Sequence, residues 1–171
     1  MTEVYIIKTN PSGKKVSDTK ALREKAYGLV RKKIGFSGEF KRTKDGKPYA
    51  EGKACFNISH SGSFAAVAVS DSEVGIDIER IRDVNLGIAK KFSREEREYI
   101  LSAENPQKAF FEIWTAKEAY LKKYGTGLTV PLDSFSAVGM KNIYKFIYED
   151  YIITVCSEEV PQFCGLRQDG D

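Results

Sequence analysis

From Thr19 to about Ile34 the apolar residues Ala21, Leu22, Ala26, Leu29, Val30 and Ile34 recur at helical intervals. The spacing predicts a helix with Ser17 or Asp18 as its N-cap and Gly35 as its stop. Ahead of it, Val4 to Lys8 reads as a strand closed by the turn Asn10-Pro11-Ser12-Gly13. Lys44-Asp45-Gly46-Lys47-Pro48-Tyr49 forms a second turn. Two β-rich runs follow, Phe56 to Ser59 and Phe64 to Ser70, separated by a small polar loop. Val74 to Glu79 is a further strand and Leu86 to Phe92 a short helix. Ser93-Arg94-Glu95-Glu96 has the spacing of a capping box, in which serine and glutamate satisfy each other's backbone donors. A longer helix is expected from Pro106 to Tyr124, with Pro106 suited to the first turn and Gly125 to the stop. Strands at about Phe135 to Val138, Ile143 to Tyr148 and Tyr151 to Cys156, then a frayed carboxyl end, complete an α+β pattern.

Composition narrows the classes. With 171 residues, 42% hydrophobic and 30% charged, the chain has the balance of a single globular domain rather than of a disordered segment. The longest apolar run, Phe64 to Val69, is too short to span a membrane. The segment Met1-Thr2-Glu3-Val4-Tyr5 lacks the basic stretch and apolar core of an export signal, so cytoplasmic residence is expected. Three cysteines without CxxC spacing argue for reduced thiols rather than a disulfide framework or zinc knuckle, and one histidine, His60, excludes multi-histidine metal sites. The net charge of +3 conceals an asymmetry: residues 1–55 carry 14 Lys and Arg against 6 Asp and Glu, and residues 56–171 carry 13 against 18. The basic residues are not interleaved with stacking aromatics, so no nucleic-acid partner is expected. A phosphorylated small molecule or a solvated lysine-rich surface both suit this pattern.

Three segments carry candidate chemistry. In Val74-Gly75-Ile76-Asp77-Ile78-Glu79 the strand period sets Asp77 and Glu79 on one face, roughly 6.5–7 Å apart along the strand, where they share one hard cation or line an exposed sheet face. In the helix of Trp114-Thr115-Ala116-Lys117-Glu118-Ala119-Tyr120-Leu121-Lys122, the positions Trp114, Glu118 and Lys122 form an aromatic, acid and base stripe. Glu118 before Lys122 is also the favourable order for an ordinary surface pair. The third, Asn57-Ile58-Ser59-His60-Ser61-Gly62, gathers donors suited to reading a phosphate, or a single histidine held in a turn.

Taken in order, Asn57-Ile58-Ser59-His60-Ser61, Gly75-Ile76-Asp77-Ile78-Glu79 and Trp114-Thr115-Ala116-Lys117-Glu118-Ala119-Tyr120-Leu121-Lys122 resemble the motifs of the Sfp-type 4′-phosphopantetheinyl transferases. Asp45-Gly46-Lys47-Pro48 resembles a further family motif, and Gly125-Thr126-Gly127-Leu128 with Pro131-Leu132 extends the likeness from about Gly46 to Phe135. The resemblance implies an α+β fold of two pseudo-twofold halves, about 1–73 and 74–171, with the site between them, in a monomer. It implies transfer of the phosphopantetheine arm of coenzyme A to a serine of an acyl or peptidyl carrier protein, with Mg²⁺ held by Asp77, Glu79 and Glu118. Glu118 is then the general base or positions a water that is, Lys122 stabilises the pyrophosphate or leaving group, and Glu96 is an alternative base. Glu96 is equally explained by its capping box. By the same resemblance Ser59 and His60 contact the 3′-phosphate of coenzyme A, and Gly46, Lys47 and Pro48 border its adenosine. Arg80 to Phe92, with Leu86, Ile88 and Phe92 apolar, is a candidate docking segment for the carrier or an ordinary core helix. A Mg²⁺-dependent pyrophosphate hydrolase and a silent carrier-binding module are the rival functions.

Overall fold

The computed structural model describes residues 1–9 and 15–167, so the turn expected at Asn10 to Gly13 lies outside the described residues. In chain order the elements are β1 (Thr2–Lys8), α1 (Lys15–Ile34), the short pair β2 (Lys41–Arg42) and β3 (Pro48–Tyr49), β4 (Cys55–Ser61), β5 (Phe64–Ser70), β6 (Gly75–Arg80), a 3₁₀ turn (Leu86–Lys91), α2 (Arg94–Ser102), α3 (Pro106–Tyr124), β7 (Ile143–Tyr148), β8 (Tyr151–Cys156) and β9 (Gln162–Arg167). The order is α+β. One sheet runs β4-β5-β1-β9 and a second runs β6-β8-β7.

The hydrophobic periods explain the layering. In α1, Leu22, Ala26, Val30 and Ile34 recur every four residues and are all buried, against Tyr5, Ile7, Ala65, Val67 and Phe56 of the first sheet. The alternate positions Val4, Ile6, Phe64, Ala66 and Ala68 face the other way, onto Ile76, Ile78, Ile153 and Val155 of the second sheet. The far face of that second sheet is covered by α3, whose Ile113 and Ala116 share a cluster with Ile152. The stack is therefore helix, sheet, sheet, helix, and each fully buried Ile or Phe contributes about 1.5–3 kcal/mol relative to exposure.

Several local expectations change. Helix α1 begins at Lys15, so Ser17 and Asp18 lie within it and not at its cap. The strand expected to end at Ser59 continues through His60 and Ser61, because all seven residues of β4 pair antiparallel with β5. No strand forms at Phe135 to Val138; a 3₁₀ turn at Leu132–Ser134 precedes them. A further strand, β9, follows at Gln162–Arg167 and pairs parallel with β1 from Glu3↔Gln162 to Ile7↔Arg167, with a register shift between Val4 and Ile6, while the end expected to fray lies beyond the described residues. A division after residue 73 thus separates the two sheets except for β9, which returns to the first.

Candidate functional site

Both β4 and β6 are edge strands, and they meet without sharing a backbone ladder. Side chains join them instead. Asn57 Oδ1 accepts the Ile76 amide at 2.9 Å, Ser59 Oγ donates to Asp77 Oδ1 at 2.7 Å, and Ser61 Oγ donates to Glu79 Oε2 at 3.1 Å. These three residues alternate along β4, so they share one face; Asn57 satisfies a backbone amide that the edge strand β6 leaves without a ladder partner, and the two serines bond the carboxylates of Asp77 and Glu79. Ser59, expected to contact a phosphate, is thereby turned inward onto Asp77. Asn57 and Ser61 enter the sequence reading only as members of the motif around Ser59 and His60, with no role of their own; the signal for their inward part is a small polar residue at every second position of the strand.

The face carrying Asp77 is not an exposed sheet face. Helix α3 covers it, and the two elements approach so closely that Gly75 abuts the α3 backbone: a β-carbon there would overlap the Ala119 carbonyl oxygen and the Lys123 amide nitrogen. Across the same interface Thr115 Oγ1 and Thr154 Oγ1 share a buried hydrogen bond of 2.7 Å. The N-terminal proline and Gly125, with φ of 68°, bound α3 where the sequence places its ends.

This packing brings Asp77, Glu79, Glu118 and Lys122 together with Ile58, Ser59, His60 and Trp114 around one cleft of about 300 Å³. Lys122 Nζ donates to Asp77 Oδ1 at 2.6 Å and to Ser59 Oγ at 3.0 Å. Asp77 is only 4% exposed, and its second oxygen, Oδ2, is buried with no hydrogen-bond partner. Burial pushes the Asp77 carboxyl above the usual carboxylate range, against the opposing pull of Lys122 and Ser59. Glu118 is raised as well, by burial first and then by the Asp77 charge. A cleft in which acids crowd together, with one oxygen lacking any donor, is an arrangement a cation would relieve. Among the described residues no three His, Cys, Asp or Glu side chains stand in a ready-made metal-holding group. The donor set still fits Mg²⁺, which takes one or two carboxylates and completes its shell with water and substrate phosphates.

Trp114 is the partition between this cleft and a smaller apolar pocket of about 160 Å³ lined by Val84, Ile88, Phe110 and Phe111. Its ring stacks on Phe110 with centroids 6.3 Å apart. Arg82 and Glu79 also line the smaller pocket, Arg82 donating to Glu79 Oε2 at 3.2 Å while lying 5.0 Å from the centre of the Phe111 ring.

Glu96 does not join the cleft. It is fully buried, its Oε2 accepts the Ser93 amide at 2.9 Å, and its Oε1 accepts Lys117 Nζ at 2.6 Å and the Ala137 amide at 2.8 Å. Its acceptors meet three donors of the protein itself, an arrangement that favours the structural part of the capping box over that of a base. Lys117, equally buried, also donates to the Phe135 carbonyl at 2.6 Å. Burial holds its ammonium below the ordinary lysine value. Lys117→Met leaves the Glu96 charge buried and unpaired, and we expect a loss of about 3–5 kcal/mol in chemical denaturation. Adding Glu96→Gln to that variant should recover part of the loss; a Lys117→Met protein as stable as the parent would show that the pair is not the lock on α2, α3 and residues 135–137.

Gly46, Lys47 and Pro48 also stand apart from the cleft. Lys47 pairs with Glu73 and donates to the carbonyls of Val74 at 3.4 Å and Lys123 at 2.6 Å. It ties its turn to the start of β6 and the end of α3. Lys47 and Pro48 line a separate cavity of about 470 Å³ with Tyr49, Cys55 and Phe56, while Gly46 offers its carbonyl to Arg42 at 2.7 Å.

A family model described as the 4′-phosphopantetheinyl transferase superfamily matches residues 73–156, the segment that contributes Asp77, Glu79, Glu118 and Lys122. A 4′-phosphopantetheinyl transferase of Bacillus subtilis is 40% identical over 161 residues, covering 82% of this chain and 70% of that protein. The 4′-phosphopantetheinyl transferase gsp of Aneurinibacillus migulanus is 44% identical over 100 residues, covering 56% of this chain and 42% of its own length. The 4′-phosphopantetheinyl transferase Sfp of Bacillus subtilis strain 168 is 42% identical over 86 residues, covering 48% and 38%. The matched stretch thus spans less than half the length of the last two relatives.

Proposed function

The chain belongs to the 4′-phosphopantetheinyl transferase family, and on that premise we propose that it moves the phosphopantetheine arm of coenzyme A to a serine of an acyl or peptidyl carrier protein. The observation that carries this reading is the convergence of Asp77, Glu79, Glu118 and Lys122 on one cleft, with the Asp77 Oδ2 atom buried and without a donor. In the proposed step the carrier serine oxygen forms a bond to the phosphorus that bears the pantetheine arm. The phosphoanhydride bond to the adenosine side breaks, and adenosine 3′,5′-bisphosphate leaves.

Each residue has a part that its position supports. Glu118, raised by burial among other acids, takes the serine proton directly or through one water. Lys122, reaching the cleft from the same face of α3, neutralises charge on the diphosphate as the anhydride bond breaks. Asp77, Glu79 and Glu118 would hold the Mg²⁺, which supplies charge neutralisation on the diphosphate oxygens. The apolar pocket behind Trp114, with Ile88 45% exposed beside it, supports carrier docking on the Arg80 to Phe92 segment. We place the reaction in the cytoplasm and the enzyme as a monomer; among the described residues no helix is long and apolar enough to cross a membrane. A stable trimer in gel filtration would overturn the monomer.

The test is to incubate the protein with coenzyme A, Mg²⁺ and an apo carrier domain and to weigh the carrier intact. A mass increase equal to one phosphopantetheine is expected. Consumption of coenzyme A without a carrier would favour a hydrolase, and neither change would leave a silent binding module.

A further inference from the structure

The two acids of β6 are held in the same way. Asp77 receives Ser59 Oγ at 2.7 Å and Lys122 Nζ at 2.6 Å, and both donors fall on Oδ1. Glu79 receives Ser61 Oγ at 3.1 Å and the Arg82 guanidinium at 3.2 Å, and both fall on Oε2. Each carboxylate thus has one hydroxyl from β4 and one cationic side chain gathered on a single oxygen. The other oxygen of Asp77 is buried without a donor, and among the described residues no donor of the protein stands on Oε1 of Glu79. Supports placed on one oxygen leave its twin to a ligand.

The surroundings of Ser61 fix where its hydroxyl points. Ser61 closes the β4 ladder opposite Phe64 of β5, and the next residue, Gly62, has φ of 58° and lies so close to the Tyr151 hydroxyl that a β-carbon would overlap it. The backbone carrying Ser61 is therefore pinned on both sides. The Arg80 amide donates to Ser61 Oγ at 3.4 Å, which occupies a lone pair and leaves the hydroxyl hydrogen for Glu79. Neither Ser61 nor Arg82 lines the carboxylate cleft, whereas Glu79 does, so both stand behind the acid and not beside a ligand. Of the two, Arg82 has 53% of its side chain exposed, and an ion pair so open to water orients its partner weakly. The orientation falls to Ser61.

We propose that Ser61 is a positioning residue for the cation site: by holding Glu79 through Oε2 it keeps Oε1 available to the Mg²⁺ that Asp77, Glu79 and Glu118 would bind. The inference rests on the transferase reading for the identity of that ion. A carboxylate already held by one oxygen gives up less rotational freedom when it takes a metal, and removing such a support costs roughly 10–100-fold in metal affinity. Ser59 stands in the same relation to Asp77, but it also accepts from Lys122 at 3.0 Å. Ser61 touches no proposed reacting group besides Glu79, which makes it the cleaner position to change.

The probe is Mn²⁺, followed by the paramagnetic resonance signal that the free ion gives and the bound ion loses, titrated into the parent, Ser61→Ala and Ser61→Thr. Ser61→Ala should bind Mn²⁺ ~10-fold or more weakly, and Ser61→Thr, which keeps the hydroxyl, should stay within about threefold of the parent. In a Glu79→Gln background Ser61→Ala should add nothing, because no carboxylate remains to be oriented. In transfer assays the Mg²⁺ concentration for half the maximal rate should rise by the factor seen with Mn²⁺, while KM for coenzyme A at saturating Mg²⁺ stays at the parent's value. A merely structural serine would lower the denaturation midpoint of Ser61→Ala and leave its Mn²⁺ affinity unchanged. That result, an equal loss in Ser61→Thr, or no Mn²⁺ binding by the parent overturns the proposal. A parent that binds Mn²⁺ with this dependence on Ser61 yet modifies no carrier would remove the transferase reading alone.

Discussion

Asp77→Asn loses carrier modification by ~10³-fold or more, because several kcal/mol of charge stabilisation at the diphosphate go with one carboxylate. The same variant should melt no lower than the parent in chelator at neutral pH. Its shape is kept, and the amide oxygen can still accept from Ser59 and Lys122, the bonds that Asp77 Oδ1 makes at 2.7 and 2.6 Å. What disappears is a buried charge with one oxygen unserved. The direction with pH follows from the raised Asp77 pKa. A carboxyl whose folded value stands above its unfolded value costs stability where it is ionised, and that cost is relieved as pH falls through the folded value. The thermal advantage of Asp77→Asn should therefore be largest at neutral pH and shrink as the solution is acidified. Undiminished transfer would remove Asp77 from the proposed metal set. A large loss of stability would mean that the carboxylate holds the fold and not a ligand.

Gly75→Ala is expected to cost as much by a different route. The added β-carbon would meet the Ala119 carbonyl and the Lys123 amide, which are backbone atoms and cannot swing aside as a side chain can. Either α3 lifts from β6 or both elements bend, at ~2–3 kcal/mol or more for overpacking a closed contact. Activity falls further than stability, since Asp77 and Glu79 ride on β6 while Glu118 and Lys122 ride on α3, and a 1 Å misplacement of reacting groups costs ~10²-fold. Gly28→Ala is the control. A β-carbon at Gly28, in the middle of α1, meets nothing within 4 Å, and alanine there should raise the denaturation midpoint, by ~0.5–1 kcal/mol. A Gly75→Ala protein with parental midpoint and turnover would show that the close approach is incidental.

These two residues mark different degrees of legibility. Asp77 and Glu79 are visible from the period of a strand, and Trp114, Glu118 and Lys122 from the period of a helix, because local backbone geometry alone puts each set on one face. The capping box at Ser93 and Glu96 formed as its spacing predicts. What local pattern does not contain is the company a residue keeps. The Glu96 motif is the same whether its second oxygen meets solvent, a substrate or Lys117, and only the packing of α2 against α3 settles that it meets Lys117. Ser59 and His60 are neighbours in a run that suggests a phosphate loop. The pairing of β4 with β5 makes the run a strand and sends the two side chains to opposite faces.

By itself the sequence established an α+β chain with α3, β7 and β8 at their observed ends, and, through its ordered motifs, its transferase family. Those features rest on interactions within a few residues, which the order of side chains dictates directly. Tertiary structure alone decided that β9 returns to lie beside β1, that Lys117 is buried with Glu96, and that Gly75 lets a strand and a helix close on one another. Each of these joins groups far apart in the chain, and their meeting is fixed by how whole faces fill space rather than by any residue's neighbours in sequence.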